Sequence, residues 1–288
     1  LGILWLFDEI DNIITQNVTG LQTYSFHANL AGAQIRFEEI GAIARPGAVI
    51  EGGDFLQGAR ANRMTLNHFV SFDLTDYHLV LSNRDAFAMQ VNDSTAAAFD
   101  LTCDEVHVVV MEQQTPGAGV AHQGGDEEFR NRFAQRGVDG PNDGAEAMRV
   151  SLAHQNPLHS IVLPRNQTGP LATPTAGLLS IDVDNVVVTA FKPAEDVGAG
   201  WVVRLWELAG QQTALSIDAS AVSADGAWHT SLIESDVVPV PVAAGVVSTS
   251  INANEIKTFR FGGGLESGLI FADGFESGDT SAWSSMSP

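Results

Sequence analysis

The sequence predicts an all-β chain: a large β-sandwich, truncated at its N-terminus, followed by a small immunoglobulin-like β-sandwich. Short β-type runs punctuated by Gly, Pro, Asn and Asp recur from end to end. Their spacing, roughly 8–14 residues with turn signals between them, is that of sandwich sheets and not of βαβ units. Seven such runs crowd between Leu178 and Phe261, the number a small immunoglobulin-like sandwich needs.

In chain order, Tyr24, Phe26, Ala28 and Leu30 alternate with polar neighbours, as a half-buried strand does. Gln34–Ile40, Leu66–Asp73, Tyr77–Ser82, Ala86–Val91 and Val106–Met111 read as further strands. One helix is expected: Asp143 with Glu146 forms a capping box, and Ala145, Met148 and Leu152 follow at spacings of three and four. Pro157 stands shortly beyond its end. A loop rich in Pro, Thr and Gly spans Thr168–Pro174. The second series is Leu178–Val183, Val186–Phe191, Trp201–Leu208, Thr213–Asp218, Trp228–Glu234, Val246–Ile251 and Ile256–Phe261. Gly262-Gly263-Gly264 then acts as a hinge. The expected domains are 1–175, 176–262 and a flexible acidic tail, 263–288.

The 288 residues suit about two domains. Asp and Glu number 35 against 14 Lys and Arg, only Lys192 and Lys257 being lysines, for a net charge of -21. Such a surface repels phosphate backbones and anionic lipid, which argues against nucleic acid and membrane as partners; a neutral sugar is compatible with it. Cys103 is the single cysteine, which excludes an intrachain disulfide and a cysteine-based metal site. No run reaches the roughly 18 apolar residues of a membrane helix. Leu1–Phe7 is apolar but lacks a basic flank, so it does not read as a signal peptide; it reads as cut from something longer.

Three stretches carry a family resemblance. The first is Phe37-Glu38-Glu39-Ile40-Gly41-Ala42-Ile43-Ala44-Arg45-Pro46, with Leu66–Phe72 and Tyr77–Asn83. The second runs from Gly124-Gly125-Asp126-Glu127-Glu128-Phe129-Arg130-Asn131-Arg132-Phe133-Ala134 to His154-Gln155-Asn156-Pro157-Leu158. The third is Phe191-Lys192-Pro193-Ala194-Glu195-Asp196, Trp201-Val202-Val203-Arg204-Leu205-Trp206 and Glu255-Ile256-Lys257-Thr258-Phe259-Arg260. Together they resemble the C-terminal region of glycoside hydrolase family 38, the zinc-dependent α-mannosidases, over roughly residues 20–261. The resemblance implies that 1–175 is an incomplete galactose-mutarotase-like sandwich and 176–262 the small terminal one. Relatives usually carry an Asn-Pro type turn where Glu207-Leu208 stands here.

The family's chemistry needs a zinc held by His and Asp, including a His-x-Asp pair, and two carboxylates flanking the bond. None of the eight histidines has Asp two residues later, and neither His-Glu-x-x-His nor Gly-x-Ser-x-Gly occurs. The expectation is therefore no catalytic residue, no metal ligand and no cofactor in this chain, with zinc in a catalytic domain upstream in the same polypeptide. His154 and His159, five apart around a proline, are expected to be surface or hydrogen-bonded core histidines. Asp126, Glu128 and Arg130 are candidates for contact with a sugar or with another domain. Trp201 and Trp206 are an odd number apart and face opposite ways; one packs the core, and the other is free for a pyranose or another domain. Arg204 is expected to form a salt bridge with Glu195 or Glu255. Asn17, Asn92 and Asn166 head glycosylation triplets, a weak signal. Phe271–Trp283 resembles a tail at the ends of secreted bacterial proteins, which implies export.

Three readings follow, in this order. The first is the non-catalytic C-terminal β region of a secreted α-mannosidase-like hydrolase, bound to its catalytic domain. The second is a stand-alone carbohydrate-binding or scaffolding sandwich. The third is an independent glycosidase or lyase using carboxylates of the large sandwich.

Overall fold

The structure, a computed structural model, describes residues 3–12, 20–47, 58–102, 104–113, 127–160, 177–196, 198–222 and 225–262. For 3–12, 20, 111–113 and 127–130 it describes the backbone alone. The expected boundary at 175, the tail, Cys103, Asn17 and Asn166 lie outside these residues. The chain divides into two compact units, Leu1–His159 and Ser160–Pro288, and the described residues of both are antiparallel β-sandwich.

The first unit contains β1 (Ile3–Asn12), β2 (Gly20–His27), β3 (Gln34–Glu39), β4 (Ala42–Ala44), β5 (Met64–Thr65), β6 (Phe69–Asp73), β7 (Tyr77–Asn83), β8 (Ala88–Val91), β9 (Glu105–Gln113) and β10 (Glu127–Asp139), then helix α1 (Ala145–Gln155). One sheet has the order β1-β10-β7-β6-β3-β4 and the other β2-β9-β8-β5. Alternate residues Ile35 and Phe37, Val70 and Phe72, and Leu79 and Leu81 face the core between the sheets. Tyr24 and Phe26 meet Phe133 there, with ring centroids 5.8 and 5.1 Å apart. The strands β1 and β10, which form a continuous ladder from Ile3↔Arg136 to Asn12↔Glu127, were not among the expected ones.

The opposite face of the larger sheet departs from simple alternation. All five residues of β6 are buried because α1 lies across β6, β7 and β10. Asn142, just before the helix, donates from Nδ2 to Ser71 Oγ (2.8 Å) and Asp73 Oδ1 (2.9 Å). Arg36 pairs with Asp73 through Nε (2.9 Å) and donates to Asn142 O (3.1 Å). The N-cap is Gly144; the expected Asp143, one residue earlier, still supplies an acceptor, its Oδ1 taking Ala145 N at 2.9 Å and Glu146 N at 3.4 Å. The buried helix face is Ala147, Val150, Ser151 and His154 with Ala145 and Met148, whereas Leu152 is half-buried.

The second unit contains β11 (Ser180–Ile181), β12 (Val186–Pro193), β13 (Trp201–Glu207), β14 (Thr213–Asp218), β15 (Gly226–Thr230), β16 (Asp236–Val240), β17 (Val246–Ile251) and β18 (Ile256–Gly262). A three-stranded sheet, β11-β14-β17, packs on a five-stranded one, β12-β13-β18-β15-β16. Val203, Leu205, Phe259 and Phe261 fill the space between them with Leu215, Ile217, Val247 and Ile251. The edge strand β16 was not expected from the sequence: it is exposed at four of five positions, so it has no alternation, and it contains Pro239. The run expected over Trp228–Glu234 ends instead at Thr230 and turns through Ser231–Ser235.

Candidate functional site

The second unit carries a notch of about 330 Å³, lined by Ala194, Glu195, Asp196, Ala199, Ile233, Glu234, Ser235, Asp236 and Arg260. Its walls are two turns. Pro193 ends β12, and Ala194 N donates to Gly200 O (2.9 Å) to close the hairpin tip onto β13. Gly200 has φ +104, and a Cβ there would run into the carbonyl oxygen of Phe261; only glycine fits so close to β18. The second wall is the β15–β16 turn, closed by Ser231 N to Ser235 O at 2.9 Å.

Charge ties the walls together. Lys192 Nζ lies 2.7 Å from Glu195 Oε1 and 2.5 Å from Glu234 Oε1, while Glu195 N donates to Glu234 Oε2 (2.9 Å). Arg260 grips Asp236 bidentately, Nε at 3.0 Å and Nη2 at 2.6 Å, and its Nη1 donates to Ala199 O (2.6 Å). Hydrogen bonding to Lys192 holds the Glu234 carboxyl below the ordinary range, and Arg260 does the same to Asp236. Both carboxylates are thus ionised at neutral pH. They can accept hydrogen bonds from hydroxyl groups, but neither holds a proton to give a leaving group.

Residues 185–259, which build most of this sandwich and both walls of the notch, match the family model described as the glycosyl hydrolases family 38 C-terminal beta sandwich domain. Over these residues the chain is similar to the C-terminal region of glycoside hydrolase family 38. An α-mannosidase from Enterococcus faecalis V583 is similar in fold, with TM-score 0.66 and 16% identity over 90% of this chain. A family 38 glycosyl hydrolase protein, also from Enterococcus faecalis, gives TM-score 0.64 and 15% identity over 90% of this chain. The chain spans only 27% and 28% of the length of those two chains. No curated protein matches it.

The residues nominated from the sequence do not gather in the notch. Asp126 lies outside the described residues, as do the side chains of Glu128 and Arg130, whose backbones pair with Asp11 and Glu9. Arg132 is clamped to Asp85 at 2.9 and 2.6 Å. Trp201 faces the core of the second unit, stacked on Phe191 at 5.0 Å and 25°. Trp206 takes the opposite face, as its spacing requires, but is only 4% exposed, and its indole N–H meets no acceptor among the described residues. It therefore offers no open ring for a pyranose. Arg204 does not form the expected salt bridge: it donates to Thr258 Oγ1 (3.3 Å) and Leu232 O (2.8 Å), since Lys192 occupies Glu195 and the backbone N–H of Asn252 occupies Glu255. Asn92 Nδ2 donates to Thr102 Oγ1 at 3.1 Å.

The sequence reading missed two buried carboxylates. Glu207, fully buried, accepts from Asn185 Nδ2, Ala209 N, Gly210 N, Gln211 N and Asn254 N at 2.8–3.2 Å. The sequence had marked this position only as a departure from the family's turn. Glu38 accepts from His68 N (2.9 Å), His68 Nδ1 (2.9 Å) and Asn67 Nδ2 (3.2 Å). Among the described residues no three His, Cys, Asp or Glu side chains could hold a metal ion, so a zinc does not fit them. No described helix is long and apolar enough to cross a membrane.

Proposed function

We propose that this chain is the non-catalytic C-terminal β region of a secreted or periplasmic bacterial α-mannosidase-like hydrolase acting on α-mannosides. It buttresses a zinc-bearing catalytic domain in the same polypeptide and contacts carbohydrate only as an accessory. The match of residues 185–259 to the family's C-terminal sandwich carries this reading. The chemistry of the notch supports it. Retaining hydrolysis requires a carboxylic acid kept protonated about 5 Å from a carboxylate nucleophile, whereas Glu234 and Asp236 are each neutralised by a cation and pushed to lower pKa.

The test is hydrolysis of a nitrophenyl α-mannoside by residues 1–288 and by the same chain joined to a family-38 catalytic domain, each with added zinc or cobalt. Activity is expected in the longer polypeptide alone. Turnover by residues 1–288, abolished by changing Asp126 or Glu128, would overturn the reading in favour of an independent glycosidase. Calorimetry with manno-oligosaccharides separates an accessory region from a stand-alone binding module: tight binding by the isolated chain, with no gain in activity on joining, supports the module.

A further inference from the structure

The two ends of α1 are fastened by different chemistry. At its start the fasteners are Asn142, an amide, and Asp143, a carboxylate. At its end the fasteners are Gln155, whose Nε2 donates to Asn83 O at 2.5 Å, and His154, 4% exposed, whose Nδ1 lies 2.8 Å from Ser82 Oγ on β7. Imidazole is the group whose charge ordinarily changes between about pH 5 and 8.

The surroundings of His154 oppose a proton. Of the charged groups around it, Arg84 on the turn after β7 and Arg132 on β10 disfavour a proton, and Asp85 favours one. Asp85, the nearby carboxylate, is already gripped by Arg132 at 2.9 and 2.6 Å. On the helix itself, Glu146 is shared between Arg136 of β10 (4.0 Å) and Arg149 (3.8 Å). The Ser82 hydroxyl can donate to a neutral Nδ1 or accept from a protonated one, so that bond favours neither state. Burial first, then Arg84, holds His154 below the ordinary histidine range.

We propose that the C-terminal half of α1 is an acid-released latch, docked on β7 while His154 is neutral and lifted from it when the imidazole takes a proton. The helix is the last element of the first unit. The direction follows from linkage. An undocked His154 titrates near the ordinary value of about 6.5 and a docked one lower, so docking is at full strength above pH 6.5. It weakens as the pH falls below that, by at most about tenfold at pH 5.5.

Hydrogen exchange read by mass spectrometry on residues 1–288 tests this, with rates corrected for the intrinsic effect of pH. The opening equilibrium of an α1 peptide should rise from pH 7.5 to 5.5, by at most about tenfold, while that of β6 changes little. In His154→Gln, whose amide bonds Ser82 without titrating, the rise should vanish. In a variant at the other buried histidine of β7, His78→Gln, it should remain. An unchanged α1, or α1 and β6 opening in step, overturns the latch, as does an equal rise in His154→Gln. Loss of the rise in His78→Gln alone overturns it as well. Should His154→Gln not fold, the wild-type ratio of α1 to β6 opening decides.

Discussion

Arg260 lies flat on the indole of Trp228, its guanidinium carbon 4.1 Å from the ring centroid. The indole in turn covers Gly226 and Gly262, where an added Cβ would come within 2.9 and 2.8 Å of it. A bare backbone floor, an aromatic ring and a guanidinium thus form three layers. The top layer reaches Asp236 on β16 and Ala199 at the β12–β13 tip. One side chain on β18 fastens both walls of the notch.

Arg260→Lys should therefore do more damage than its conserved charge suggests. An ammonium cannot grip Asp236 with two parallel bonds, reach Ala199 O and stack on indole at once. The expected cost is about 1–2 kcal/mol from the lost stacking and charge-assisted bonds, read by denaturant unfolding of the whole chain. A variant as stable as the parent would show that the three layers contribute nothing.

How far these features were legible depended on their range. The strands β13, β14, β17 and β18 announced themselves as short β-type runs between turn signals, and the hairpin tip by Lys192-Pro193 and glycines. The edge strand β16 had no such signal, because its stability comes from pairing with β15, which no local pattern records. Ser151 is a polar residue on a helix face that pattern reading leaves in solvent, and His154, read as either a surface or a hydrogen-bonded core histidine, is the latter; a buried polar layer, Ser71, Asp73 and Ser82, receives that face. Trp206 shows the same limit: spacing gave its face correctly, but not whether that face would be covered.

Two glycines in one hairpin separate conformational strain from close approach. Gly198 has φ +79 with open space around its Cβ position, whereas Gly200 has φ +104 and faces Phe261 O. Gly198→Ala should cost about 1 kcal/mol from backbone strain alone. Gly200→Ala should cost clearly more, since β13 and β18 must also part. Equal melting temperatures for the two variants would contradict the close approach.

Acid should weaken the notch in a defined window. Glu234 and Asp236 titrate below their ordinary values of 4.5 and 3.8 because of Lys192 and Arg260. A carboxylate depressed on folding contributes stability that is complete above its unfolded value and is lost as the pH falls through its folded one. The loss from this pair is expected below about pH 4. Lys192→Met should flatten the acid limb of the melting curve against pH; an unaltered limb would place the acid sensitivity elsewhere.

With 35 carboxylates against 14 basic side chains, self-repulsion should also respond to salt. The Debye length falls from about 10 Å at 0.1 M to about 3 Å at 1 M, so the melting temperature near neutral pH should rise with sodium chloride. A falling trend would mean that the ion pairs outweigh the repulsion.

Glu207 is the residue whose change should hurt the small sandwich most. Its carboxylate sits at the end of β13 and accepts five hydrogen bonds, three from the turn that follows, one from Asn254 before β18 and one from Asn185 before β12. Two ends of neighbouring strands and one turn converge on two oxygens. Glu207→Gln keeps the shape but replaces one acceptor oxygen by an NH₂ donor. Whichever way the amide turns, two or three donors lose their acceptor in a part-buried site. An orphaned donor costs about 1–3 kcal/mol where it is buried and less where water reaches it, so a loss of about 2–3 kcal/mol is expected in chemical unfolding, beyond that for Arg260→Lys. Glu207→Asp keeps the charge but withdraws it by one methylene, and should fall between the two. If Glu207→Gln unfolds like the parent, the turn donors are satisfied without the charge, and Glu207 is an ordinary strand end.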